Sequence, residues 1–164
     1  MSILKVDTIN EKTTGNGVQI AGHVVQVQQG VMTSRVQVTT TNEYTIGNGF
    51  TVTITPKSTS SKVLVTTNLS SIHRASTVIL LYLYRDSTKI SEMGWYQDTT
   101  SWTPLSMNIN FLDSPATTSS ITYSCKFRVG ALGASGGPYL NYANSTYGTQ
   151  NDSRSTITAM EIAQ

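Results

Sequence analysis

Residues 121–129 read ITYSCKFRV, with Ile121, Tyr123, Cys125, Phe127 and Val129 apolar at every second position. Successive side chains of a strand point to opposite faces, so this segment has one face for a core and one for solvent. The same two-residue period recurs in GFTVTITP, KVLVTTNLSS, LSMNINFLD and STITAMEIA. No stretch sustains a 3.6-residue period over three turns. The pattern predicts an all-β chain with essentially no helix.

Further strands are read in SRVQVTT, TVILLYLYRD, TKISEMGWYQ and PYLNYAN, which brings the total to eight or nine from residue 31 onward. Polar, Pro- and Gly-rich connections separate them: TPKSTSSK, LDSPATTSS and GALGASGGP. In TIGNGFT, Asn48-Gly49 lies between two alternating runs, which predicts a tight hairpin. Strands at spacings of about 8–15 residues are the pattern of an antiparallel β-sandwich or jelly roll.

Alternation places Val63, Val65, Ile109, Phe111, Phe127, Val129, Ile157 and Ala159 inward, and Ile162 after a register break near Glu161. The run VILLYLY (Val78 to Tyr84) is far shorter than a membrane span and reads as a central strand buried on both faces. No membrane insertion is expected. Polar alternation after Met1 also argues against a signal peptide.

At 164 residues there is room for one domain and a small appendage. The texture changes near residue 30. Before it the strands are thin, Gln-, Gly- and Asn-rich and free of aromatics; after it they thicken. We read residues 1–30 as an N-terminal strand or hairpin segment and 31–164 as the head. In KVDTINEKTTGNGVQIAG (residues 5–22), a polar Gly-Asn-Gly turn joins two short strands that bury too little to fold alone.

Charge narrows the function. The net charge is +2, only 12% of residues are charged, and the basic residues are scattered, so no phosphate-tracking groove is expected. Cys125 is the only cysteine and, on its alternating face, reads as a small core hydrophobe. His23 and His73 sit in no metal-ligand spacing. Most acidic residues fall at turns, among them Asp86, Asp98, Asp113 and Asp152. We therefore expect no enzyme, no cofactor and no metal.

Two segments concentrate aromatics among small polar residues: GWYQDTTSWTP and GGPYLNYANSTYGTQND. Aromatic rings flanked by Asn, Asp and Thr suit a surface glycan or a protein epitope. Trp102, Asp98, Tyr147, Asn144, Asn151 and Asp152 are the candidate binding residues. Trp95 and Tyr96 point to opposite faces, which puts one of them in the core or an interface. Tyr142, two residues after Leu140, shares its face and is expected to be buried with it.

SILKVDTI followed by GNGVQIAG resembles the opening of structural proteins of marine tailed phages, especially cyanophages. VTITPKSTSSKVLV, LYRDSTKI, LSMNINFLDSPATTSSITYSCKFRV and STITAMEIA resemble their C-terminal β-sandwich. The resemblance implies a virion protein of the tail-fibre kind, a homotrimer with a jelly-roll head of the tumour-necrosis-factor type. It also implies an N-terminus that assembles on the particle. Ile3, Leu4, Val6, Ile9, Val18, Ile20 and Val25 would form that anchor, pairing with copies of themselves or with another virion protein. A long shaft is missing, since about thirty residues precede the head, and this favours a short fibre or knob. Location on the tail is expected first, on the capsid surface second.

Overall fold

The computed structural model describes residues 8–10, 20–47, 49–73, 77–98, 103–133, 136–142 and 154–164, with the backbone alone for 71–73 and 103. Strand β1 is Val24–Met32, β2 Val36–Gln37, β3 Tyr44–Thr45 and β4 Thr51–Ile54. The long β5 is Lys62–His73, followed by β6 Thr77–Arg85 and β7 Thr88–Gln97. Then come β8 Thr103–Met107, β9 Asn110–Asp113, β10 Ile121–Val129, β11 Tyr139–Leu140 and β12 Ser155–Ile162. Among the described residues there is no helix.

The strands form two antiparallel sheets. The seven-stranded sheet runs β1–β12–β5, with β8 and β9 end to end along the far edge of β5, and β11 and β2 continuing the β12 side. The five-stranded sheet runs β10–β6–β7, with β3 and β4 end to end along the other edge of β10. From β4 to β12 the chain crosses repeatedly between the sheets. This gives the strand order of an eight-stranded jelly roll, β1–β12–β5–β8/9 facing β4–β10–β6–β7.

The inward rows of both sheets meet in one core. Val63, Val65, Leu69, Ile157 and Ala159 come from one side; Ile79, Leu81, Leu83 and the whole alternating row of β10 come from the other. Cys125 lies in that row, and burial alone pushes its thiol up to about 12. The expected inward set is reproduced, with Phe111 only partly buried. Ile162 is the exception. Alternation continues unbroken through β12, so the fully buried residue is Glu161 and Ile162 faces outward. The buried carboxylate accepts from the Lys57 amide at 2.7 Å and from Gln26 Nε2 at 2.6 Å, which removes any need for a register break.

Other local expectations change for clear reasons. β3 and β4 form no hairpin: both pair antiparallel with β10, so they run in the same direction along its edge. Between them Ile46 and Phe50 are buried in the core. LSMNINFLD keeps one register against β5, but the ladder breaks at Ile109, whose amide donates to the Thr67 hydroxyl at 2.8 Å. In β6, Tyr82 and Tyr84 are buried on the outer face beneath lysine side chains, not beneath another layer. Lys89 lies 5.0 Å and Lys126 4.1 Å from the two ring centroids, and Val78 stays exposed.

The change of texture near residue 30 is not a structural boundary. β1 runs through it and pairs with β12 along its length. There β1 meets the start of β4 backbone to backbone: a Cβ on Gly30 would lie 2.0 Å from the Thr51 carbonyl oxygen. Gly49, at φ +86°, closes the same corner against Val31.

Candidate functional site

Strand registers give the sandwich two unlike ends. β5 ends at His73 and β6 begins at Thr77, close enough for the three intervening residues to bridge over at most about 15 Å. Thr103 pairs with His73, Tyr139 with Ile72, Gln97 with Thr77, and Ser155 with Met32. The described flanks of both aromatic segments, Asp98 and Thr103 for one and Tyr142 and Arg154 for the other, therefore sit at one end, the apex. At the opposite end, the base, β1 begins beside the end of β12. Gly22 donates to the Ala163 carbonyl at 2.8 Å, and Ala163 donates back to that of His23 at 2.9 Å.

The base is held by buried polar groups. Arg85 on β6 donates to both oxygens of Asp113 on β9 at 2.9 Å. Tyr123 on β10 donates its phenol to the same carboxylate at 2.7 Å, and the Ser114 amide completes the set at 2.9 Å. Burial first, then the bond to Asp113, raises the Tyr123 phenol far above its usual range. Elsewhere Glu43 is held below the usual carboxylate range by Lys126 and then by Tyr84, which both donate to it. Asp86 accepts from the Thr122 amide at 3.0 Å.

The apex is different in chemistry. Trp95 is 55% and Tyr96 62% exposed, so neither belongs to the core of this chain, which removes the core alternative of the expectation for one of them and leaves the interface. They occupy β7, the edge strand of its sheet, where among the described residues no neighbouring strand covers the inward side of Trp95. On the other sheet Arg35 stacks over Tyr139 at 4.9 Å and Tyr142 at 5.3 Å, and the two rings lie 5.5 Å apart. Tyr142 does not follow Leu140 into the core. Asn141, at φ 55°, breaks the alternation and turns Tyr142 toward Tyr139.

Asn141 also clamps the base of the second aromatic segment. Its amide donates to the Ser70 carbonyl at 2.7 Å, and its side-chain oxygen accepts from the Ser155 amide at 2.9 Å and hydroxyl at 3.1 Å. The chain thus leaves and re-enters the sheet through one fixed point. Sequence pattern gave no signal for this, because an asparagine within PYLNYAN looks like any polar strand position.

Of the candidate binding residues, Asp98 is described and lies exposed at the apex. Trp102, Tyr147, Asn144, Asn151 and Asp152 lie outside the described residues, as do Ile3, Leu4, Val6 and Val18 of the anchor set. Ile9 and Ile20 are exposed, and Val25 is half-buried within β1, at the bulge opposite the end of β12. Among the described residues no group of three or more His, Cys, Asp or Glu is placed to hold a metal. No helix there is long and apolar enough to cross a membrane. No protein-family model matches the chain, and no curated protein matches it.

Proposed function

We propose that this chain is a structural protein of a tailed-phage virion: a short tail fibre or knob, assembled as a homotrimer, whose head contacts the host cell surface without catalysis. The observation that carries the reading is the polarity of the sandwich. The N-terminal segment enters at the base, beside the C-terminal strand, while both aromatic segments join the fold at the apex. A protein that must hold a particle at one end and a cell at the other needs this separation.

Exposed Trp95 and Tyr96, with Asp98 nearby, supply rigid contact area and hydrogen-bonding capacity for a surface glycan or protein. Several weak sites on one oligomer, and several oligomers per particle, gain avidity without a strong single contact.

Gold-labelled antibody against the full chain, viewed on purified particles by electron microscopy, tests this. Label at the tail is the expected result. Label over the capsid would replace the knob by a capsid-surface fibre or decoration, and absence of label from particles whose producing cells express the protein would end the virion reading.

A further inference from the structure

The two outer faces of the sandwich differ in charge. The outer face of the five-stranded sheet carries Lys89, Glu92, Lys126 and Arg128, with Lys89 paired to Glu92 at 2.6 Å and Lys126 to Glu43 at 3.2 Å. That is a face built for water. On the outer face of β1, β12, β5 and β9, among the described residues, Lys62 is the single charge.

In place of charges this face carries a row of aliphatic side chains. Register puts Val27 opposite Met160, Met160 opposite Leu64, and Leu64 opposite Leu112, one residue from each of four adjacent strands. Ile162 and Val24 adjoin the row on the side of the base. Met160 and Leu64 are half-buried by their neighbours, but Val27 is 54% and Leu112 48% exposed. Antiparallel sheets that face solvent on one side alternate apolar-in with polar-out, and a contiguous apolar stripe on the outer side departs from that rule.

We propose that the row Val27–Met160–Leu64–Leu112 is the surface on which a second copy of this chain docks. A face almost without charge has nothing to select an acidic or basic partner and nothing to repel another copy of this chain. Its size is also adequate. Four strands about 4.8 Å apart, over eight residues rising about 3.3 Å each, span roughly 500 Å² a side. Set against an equal area of the second copy, this face buries about 1,000 Å² in all, the floor that a specific interface must clear. The row lies toward the base, so docking there leaves the aromatic apex free. The inference deepens the knob reading by naming the face that joins its subunits, and it rests on that reading only for the number of copies.

Light scattering on the full chain, with circular dichroism to confirm folding, tests the assignment. Wild type should have the mass of an oligomer, and Val27→Glu with Leu112→Glu should reduce it to a monomer of unchanged fold, since both positions are exposed. Val78→Glu, an exposed position on the other sheet, should keep the oligomer. A monomeric wild type at tens of micromolar, or a double variant that stays associated, would overturn the proposal. Particles that carry the protein while the double variant stays associated would reject this face alone. Loss of the oligomer with no protein on particles would reject the virion reading alone.

Discussion

Tyr123 donates to Asp113 across the sandwich at 2.7 Å, so a single carboxylate on β9 receives both the phenol of β10 and the guanidinium of β6. The two sheets are pinned at the base by this bond as well as by apolar packing. Tyr123→Phe removes one donor and leaves the Arg85 pair in place, which should cost about 1–2 kcal/mol. Asp113→Ala leaves the buried Tyr123 phenol without its acceptor and the partly exposed Arg85 without its partner, and should cost about 2–4 kcal/mol. Urea unfolding of the two variants measures the difference.

The same phenol makes stability depend on alkaline pH. Its folded value is raised, so the protonated form is favoured by folding. The stabilisation is complete below the unfolded tyrosine's value of 10.0 and is lost as pH rises above it. Cys125, raised from 9.0 to about 12, begins the same decline one unit lower. Each group contributes a slope of up to about 1.4 kcal/mol per pH unit within its window. Unfolding free energy followed from pH 8 to 11 should fall in wild type, and less steeply in Tyr123→Phe and in Cys125→Ala.

The corner between β1 and β4 gives a sharper contrast. A methyl group on Gly30 would meet the Thr51 backbone at 2.0 Å, whereas one on Gly47 would meet nothing within 4 Å. Gly30→Ala should therefore destabilise by about 3 kcal/mol or more, through forced separation of the two strands. Gly47→Ala should change stability by less than about 0.5 kcal/mol. Thermal melts of the pair separate steric closure from a general intolerance of substitution.

Where the N-terminal segment can be cut follows from β1. Removal of residues 1–19 leaves every described strand intact and should preserve the melting transition. Removal of 1–30 takes away most of β1, uncovers the edge of β12 and deprives Glu161 of Gln26. That truncation should unfold at markedly lower temperature or aggregate, as an uncovered strand edge invites.

Much of this fold was legible because two-residue alternation reports burial directly. The row Ile121, Tyr123, Cys125, Phe127, Val129 needed no tertiary information. What alternation cannot report is a partner distant in sequence. Glu161 looked out of place in an inward row because its donors, Lys57 and Gln26, come from other parts of the chain. Asn48-Gly49 suggested a hairpin, yet both flanking strands pair with β10 instead of with each other. At the apex, alternation set Trp95 and Tyr96 on opposite faces and so put one of them in the core or an interface; their joint exposure in this chain depends on β7 being an edge strand, a property of topology. The clamp at Asn141 rests on a backbone turn that no periodicity encodes.

The separation of a holding end from a binding end is the central claim, and particles carrying Trp95→Ala, Tyr96→Ala and Asp98→Ala together test it most directly. Incorporation, read by immunoblot, should be unchanged, because these side chains lie at the apex, away from the base. Adsorption to host cells should fall by about tenfold or more, as loss of about 1.4 kcal/mol per site is multiplied by avidity. Normal adsorption by particles that carry the altered head would contradict the account.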